Sequence, residues 1–310
     1  MTAQATLPVA GGPPAGPVPS RAQRLRGWVF TPVPLARVAV LRVIVYLFVV
    51  YDLFYVVNDP PHLAQNSAAL YRPIRIRSWL DLPVPSTGYV LAERAVVIAA
   101  CAVVIAGVLL RLPRWLTALA GVLVAAGFTD WVSIGMSYSK IDHDHFALIM
   151  AVWVLPTVGT TLLRGRAAGI RSEAAGWALL CIQVGCVAIY FLSAVAKVRY
   201  GGWNWVTGST FAWAMTRRGT GLGRALLDPP WILTASQFLI FTIEVFSPLI
   251  LWARGRVRYL MVLGFMVFHL STYLAMKIHF LPLVICLLAF LPLEILLRRR
   301  EQPVAATPTA

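Results

Sequence analysis

Residues 174–198 read AAGWALLCIQVGCVAIYFLSAVAKV, and this stretch decides the fold class. It contains no charged side chain before Lys197. A transmembrane helix needs about 20 predominantly apolar residues to cross the roughly 30 Å hydrocarbon layer of a bilayer. The stretch therefore predicts a membrane-spanning helix that ends in a lysine.

The rest of the chain repeats this pattern. Of its 310 residues, 59% are hydrophobic and only 13% are charged, whereas about a quarter of the residues in a soluble domain are charged. The sequence predicts an all-α, polytopic transmembrane helical bundle of about eight spans within residues 21–300. The flanking tails, 1–20 and 301–310, are expected to be disordered. The expected spans are 35–57, 89–110, 114–136, 145–163, 174–198, 231–253, 259–276 and 278–296.

The formal net charge of +15 does not indicate a nucleic-acid-binding protein. The arginines lie in short connections between apolar spans, where they set orientation and meet anionic lipid. By this positive-inside pattern we expect a multi-pass protein of the cell membrane with both termini in the cytoplasm. The inner arginines are Arg21, Arg24, Arg26, Arg111, Arg114, Arg164, Arg166, Arg171, Arg254, Arg256, Arg258, Arg298, Arg299 and Arg300.

Lys197 is the sharpest candidate for chemistry. A lysine beside lipid is costly and marks a functional site by default. Burial favours its neutral amine, which can act as a base or a nucleophile. The alternative is a snorkelling lysine, whose stem lies along the helix end while its ammonium reaches water.

A second candidate is the segment Lys140-Ile141-Asp142-His143-Asp144-His145, which precedes the fourth span. Three roles are open for it: helix capping by the carboxylates, acid–base work by a histidine, and metal binding. Residues two apart on a helix point to different faces, so the four Asp and His side chains cannot all ligate one ion. We assign no metal ligand.

Other polar residues lie within the apolar spans. His269 is either a packed, hydrogen-bonded residue or part of a polar cavity wall. The charged residues in the spans predict either opposite charges paired inside the bundle or a proton or substrate path. These charged residues are Arg37, Arg42, Asp52, Asp130 and Glu244.

The connection 199–230 is rich in tryptophan. Tryptophans at a membrane surface commonly form an interfacial belt that anchors the protein. The alternative is a lid over a site. The residues concerned are Trp203, Trp205, Trp213 and Trp231, together with Arg217 and Arg218.

Five short segments together resemble the membrane domain of the vitamin K-dependent gamma-carboxylases, also called the horizontally transferred transmembrane domain (HTTM) family. Their order and spacing are similar to the family's over most of residues 20–300. The segments are Tyr190-Phe191 with Lys197 and Trp205-Val206-Thr207-Gly208; Asp144-His145-Phe146-Ala147-Leu148; Phe268-His269 with Ile278-x-Phe280; Leu82-Pro83-Val84-Pro85; and Glu244-Val245-Phe246-Ser247-Pro248.

The resemblance implies a carboxylase-like membrane enzyme, a lyase, whose site faces the outer side. In that family the lysine that matches Lys197 is the base and histidines assist it; His145 and His269 match by position. The implied cofactor is menaquinol or another reduced naphthoquinone, used with oxygen and carbon dioxide. The implied cofactor-binding residues are Trp205, Tyr190 and His143.

The chain departs from the carboxylases in two respects. Where the carboxylases have a double lysine, this chain has Ala196-Lys197. The chain also ends ten residues after the last arginine run, without the large soluble portion that holds the protein substrate of the carboxylases. Peptide carboxylation is therefore not expected, and the alternative function is a non-catalytic transporter or an export or immunity factor built on the same bundle. For the enzyme, we expect His145, Lys197 and His269 to meet in one cavity, with histidines rather than carboxylates nearest to Lys197.

Overall fold

The computed structural model describes residues 20–57, 59–163 and 170–297. The tails predicted at 1–19 and 301–310 lie outside these described residues, as do Arg164, Arg166 and Arg298 to Arg300. Six helices are long and apolar enough to cross a membrane. The chain is therefore a multi-pass membrane protein, and the prediction of an all-α bundle is confirmed.

The helices follow one another with short connections. In chain order they are α1 (Arg21–Val29), α2 (Leu35–Tyr55), α3 (Pro60–Leu63), α4 (Arg75–Trp79), α5 (Thr87–Leu110), α6 (Arg114–Tyr138), α7 (Phe146–Val154), α8 (Glu173–Gly201), α9 (Asn204–Thr207), α10 (Thr210–Arg218), α11 (Gly221–Ala225), α12 (Pro230–Phe246), α13 (Gly255–Met276) and α14 (Leu281–Leu287). Turns of 3₁₀-helix occupy Ala68–Leu70, His143–His145, Leu155–Val158, Ser247–Leu251, Leu288–Phe290 and Leu293–Leu297.

The six long spans, α2, α5, α6, α8, α12 with its 3₁₀ extension, and α13, begin and end within four residues of the boundaries expected from the sequence. Local sequence explains where several of them start. The side chain of Ser86 accepts a hydrogen bond from the backbone of Tyr89 and caps α5, and Ser172 caps α8 in the same way through Ala175. Proline precedes α2 and α6 directly, where its missing amide hydrogen costs nothing.

The fourth and eighth expected spans are shorter than predicted. They comprise the apolar segments His143–Val158 and Leu281–Phe290, both below the length of a full span. In the fourth, Pro156 lies in the final 3₁₀ turn and Gly159 follows it with φ of 76°. Proline cannot continue the backbone hydrogen-bond ladder and glycine accepts a positive φ, so the helix ends early.

The short helix α7 lies at the centre of the bundle. It packs against α2, α6, α8 and α14, and its side chains Leu148, Ala151 and Val152 are fully buried. Around it, α5 pairs with α6 and α2. A two-residue antiparallel pair, β1 (Val33–Pro34) with β2 (Arg171–Ser172), joins the starts of α2 and α8.

The last two long helices are packed more loosely. Only 22% of the span that contains α12, and 28% of α13, is buried, compared with 50% for α8. The small helix α10 contacts both α12 and α13, and the small helix α11 contacts α13. The space left between α8, α12 and α13 is the place where the bundle holds its large cavity.

Candidate functional site

A cavity of about 810 Å³ lies between α8, α12 and α13, with α10, α11 and the turn before α14 closing it. Its wall is mostly apolar, made of leucine, isoleucine, phenylalanine and methionine side chains. The polar groups that it contains are few. They are His143, Tyr190, Ser193, Lys197, Ser236, Glu244, His269, Ser271 and Thr272.

Lys197 points into the bundle and forms an ion pair with Glu244 of α12. The side chains are only 16% and 5% exposed, respectively. The Lys197 ammonium also donates a hydrogen bond to Ser193 Oγ at 2.9 Å, one helical turn earlier. It lies 4.8 Å from the centre of the Trp205 ring, which is within the range of a cation–π contact.

The expectation that histidines would be the nearest polar neighbours of Lys197 is wrong. The nearest is a carboxylate, because α12 packs against α8 and brings Glu244 opposite the lysine. A buried ammonium and a buried carboxylate each cost several kcal/mol when alone, and the pair offsets much of that cost. With its ammonium paired inside the bundle, Lys197 does not have the geometry of a snorkelling lysine.

Tyr190 and His269 form the second polar contact of the cavity. The Tyr190 hydroxyl lies 2.6 Å from His269 Nε2, and the tyrosine ring stacks on Phe265 with centroids 4.2 Å apart. His269 Nδ1 is buried and has no hydrogen-bond partner within the described part of the chain. His269 is thus both packed and part of a cavity wall, and one ring nitrogen remains for a ligand.

The tryptophan-rich connection combines the two roles considered for it, a lid at Trp205 and an interfacial belt at Trp203. Trp205 lines the cavity with Phe211, Met215 and Leu222 of the same connection. Trp203, like Trp213 and Trp231, is exposed, as an interfacial belt requires. The connection is therefore a cover for the cavity at Trp205 and a membrane-facing surface elsewhere.

Gln237 of α12 holds this cover in position. Its amide nitrogen donates to the backbone oxygens of Trp205, Val206 and Gly208, and its amide oxygen accepts from the backbone of Phe211. The side chain is almost completely buried. One glutamine thus bonds four backbone groups, of which Trp205 O also accepts from the Thr210 hydroxyl.

The two neighbouring histidines of the Asp–His segment separate. His143 lines the cavity, with its ring 6.4 Å from that of Phe280. His145 is buried between two carboxylates: Nε2 lies 3.1 Å from Asp52 and Nδ1 lies 3.3 Å from Asp144. His145 is not among the residues that line the cavity, so of the three residues expected to meet there, only Lys197 and His269 do.

The carboxylates of this segment do not cap a helix. Neither Asp142 nor Asp144 makes a side-chain capping hydrogen bond. Asp142 pairs with Lys140 at 2.8 Å, and Asp144 pairs with His145. Across the described residues, no three His, Cys, Asp or Glu side chains are arranged to hold a metal ion.

The other charged residues of the spans confirm the prediction of paired charges in part. Arg37 makes a bidentate contact with Glu294, at 2.6 and 2.7 Å. Asp130 pairs with Arg77 of α4 and accepts from the Tyr89 hydroxyl at 2.7 Å. Burial alone would lower the pKa of Arg77, but the contact with Asp130 outweighs it, so this pKa lies above its ordinary value.

Sequence reasoning missed two contributors to the site, Ser193 and Gln237, and the partner of a third, Glu244. Ser193 precedes Lys197 by one helical turn, a spacing that places both side chains on one face. Gln237 was visible as an amide in an apolar span, which is itself a signal for a buried polar contact. Glu244 was noticed as an acid in a span, but nothing in the linear sequence pairs it with Lys197.

Comparison of the chain with models of known protein families, with characterised proteins and with solved structures gave no match.

Proposed function

We propose that this chain is a membrane enzyme that binds a reduced naphthoquinone, such as menaquinol, in the 810 Å³ cavity and uses Lys197 as a base. The observation that carries the proposal is an apolar cavity with two polar contacts on its wall, Lys197–Glu244 and Tyr190–His269. An isoprenoid quinol has the matching distribution of atoms: a long apolar tail and a polar aromatic head. The volume falls within the roughly 300–1,000 Å³ typical of small-molecule sites.

The residues present fit such a head group. His269 Nδ1 is a buried nitrogen without a partner in the described chain, and it can hydrogen-bond an oxygen of the head group. Phe268 and Phe280 stand beside it on the cavity wall and offer ring faces. A bound quinol would supply reducing equivalents at this position.

Glu244 gives Lys197 a route to the neutral amine that a base requires. The ion pair and the state in which the proton has moved from Lys197 Nζ to the Glu244 carboxylate have the same net charge. Burial penalises the two separated charges of the ion pair. The Trp205 ring opposes the transfer, because it stabilises the ammonium. The proton that the pair shares can therefore reside on Lys197 or on Glu244.

The apolar wall supports an enzyme over the alternative of a transporter. A transport path would need polar side chains that continue away from Lys197 and Glu244 toward the other membrane surface. Apart from Ser193 and Ser236, the residues of α8 and α12 that line the cavity with this pair are mostly apolar, among them Ile189, Ile240 and Ile243.

Mass spectrometry of lipid extracts tests the proposal directly. We expect a naphthoquinone to co-purify with the protein, and Met215→Trp, which puts a larger side chain on the cavity wall, to remove most of it. Leu260→Trp on the exposed face of α13 is the matched control and should retain the quinone. If neither the purified protein nor protein supplied with menaquinone in detergent holds a quinone, the proposal is wrong.

Lys197→Arg separates a base from an anchor. Arginine keeps the charge and the contact with Glu244 but cannot give up its proton. We expect this variant to bind quinone normally and to oxidise quinol at least about 100-fold more slowly, the lower end of general-base contributions, with dioxygen supplied as the acceptor of the two electrons and two protons. Lys140→Arg, at a side chain 76% exposed, should oxidise quinol at the normal rate. Unchanged oxidation in Lys197→Arg would remove the assignment of Lys197 as base.

A further inference from the structure

A second, much smaller cavity lies away from the first, where α2, α5, α6 and the turn after α7 meet. Its volume is about 10 Å³, close to the space that one water molecule needs. Its wall is more polar than apolar in character and includes two arginines. The residues that line it are Arg42, Tyr46, Val104, Arg114, Thr117, Ala118, Pro156 and Gly159.

Two buried hydrogen-bond donors of this wall have no partner in the described residues. They are Arg42 Nε and the Tyr46 hydroxyl, which belong to side chains one turn apart on α2 and only 5% and 0% exposed. The remaining nitrogens of Arg42 are used: they donate to the carbonyls of Leu155 and Gly159 and to Thr161 Oγ1. Two orphaned donors on one small cavity are costly unless a ligand accepts from them.

The charge at this place is positive and uncompensated. The side chain of Arg114 reaches the same turn. A Cβ placed on Gly159 would lie 3.3 Å from Arg114 Nη2. Among the ion pairs of the described chain, none joins Arg42 or Arg114 to a carboxylate. Guanidinium groups stay protonated in proteins. A buried positive charge is expensive without a counter-charge.

We propose that this cavity binds one monatomic anion, chloride under physiological conditions. The donors Arg42 Nε–H and Tyr46 O–H face a space too small for a phosphate, a sulfate or a carboxylate. A water molecule would satisfy the same donors but would leave the buried guanidinium charge of Arg42 uncompensated, whereas Arg114 is exposed to solvent. The bound ion joins α2 to the end of the α7 segment and to the start of α6, so it stabilises the packing of the central helix.

Thermal unfolding of the purified protein tests the site. In sodium chloride compared with sodium gluconate at equal ionic strength, the midpoint should rise with chloride and saturate. The expected rise is about 2–4 °C for a bound ion well above its dissociation constant. Bromide should act like chloride, and sulfate should act like gluconate.

Tyr46→Phe removes one donor and leaves the helix contacts of Arg42 in place. We expect this variant to need at least several-fold more chloride for the same stabilisation. Tyr51→Phe, on the exposed face of the same helix, is the control and should respond like the unmodified protein. Equal midpoints in chloride and gluconate at every concentration would mean that the cavity holds water, and the proposal would be overturned.

Discussion

At the scale of single residues, two contacts inside the membrane region pair ionisable groups of opposite charge. Lys197 faces Glu244, and Asp52 faces His145. A buried pair contributes little net stability, but loss of one partner leaves the other charge buried and alone. Substitution of one residue of such a pair should therefore lower the stability of the protein strongly, whereas replacement of both residues by apolar ones should lower it little.

Glu244→Gln is predicted to destabilise the protein strongly. It leaves the Lys197 ammonium without its counter-charge, and loss of one partner of a buried pair typically costs about 3–5 kcal/mol. The double variant Lys197→Met with Glu244→Leu should recover most of the loss, since it removes both charges. Unfolding free energies of the unmodified protein, Lys197→Met, Glu244→Leu and this double variant form a double-mutant cycle that gives the coupling energy.

Asp142→Asn is the surface control for that cycle. Its partner Lys140 has a side chain 76% exposed, so solvent screens the pair, and such pairs contribute about 0–1 kcal/mol. If Glu244→Gln costs no more than Asp142→Asn, the contact of Glu244 with Lys197 is not a buried ion pair.

At the scale of elements, close helix approach depends on a few glycines. Gly176, near the start of α8, lies so near the backbone carbonyl of Thr31 that a Cβ there would overlap it. Gly264, in the middle of α13, has open space around it. The two positions therefore differ in what an added methyl group meets, although both are glycines within spans.

Gly176→Ala should lower stability, whereas Gly264→Ala should not. At Gly176 the methyl group must push the segment before α2 away from α8, and such overpacking costs about 1–3 kcal/mol. At Gly264 the change should be neutral or stabilising by up to about 1 kcal/mol, the helix preference of alanine over glycine. Thermal midpoints of the two variants in one detergent compare them; equal midpoints would contradict the packing of α8 on this segment.

The cover of the large cavity also depends on one side chain. Gln237→Leu is predicted to remove four hydrogen bonds to the backbone of residues 205–211 and to loosen the connection 199–230. Amide hydrogen exchange should increase there, while the buried helix α7 keeps its protection. Gln183→Leu is the control, since that amide donates to Ala289 far from the cover. Unchanged exchange in Gln237→Leu would show that the cover is held by other contacts.

At the scale of the whole molecule, the bundle has a tightly packed part and a loosely packed part. The helices α2, α6 and α8 surround α7, whereas α12 and α13 bury little surface and leave the large cavity between them and α8. Arginine-rich connections follow α5 and α12 and precede α8 in the sequence. This distribution bears on how the protein is oriented.

We predict that both termini are cytoplasmic. Short connections rich in arginine stay on the cytoplasmic side of a membrane, and those at 111–114, 164–171 and 254–258 follow this pattern. Reporter fusions at Arg166 and at the C-terminus should both report the cytoplasm, and a fusion in the connection 58–86 should report the opposite side. A periplasmic C-terminus would contradict a bundle in which the short segments His143–Val158 and Leu281–Phe290 also cross the membrane.

The sequence by itself determined the membrane class, the helical fold and the ends of the six long spans. These follow from local properties: the length of apolar runs, the absence of charge within them, and the proline and serine residues that start helices. The same signals identified Lys197 and His269 as candidates, because a polar group in an apolar span is conspicuous wherever the chain goes. The lengths of the fourth and eighth segments were overestimated, and in the fourth the reason is that hydropathy does not register the helix end at Pro156 and Gly159.

Only the tertiary structure decided which polar groups meet. Lys197 and Glu244 are far apart in sequence and become partners because α8 packs on α12. His143 and His145 are two residues apart, yet one lines the cavity and the other lies between Asp52 and Asp144. Such pairings depend on the relative rotation and displacement of packed helices. Those quantities are set by the fit of side chains from several helices at once, so no single stretch of sequence contains them.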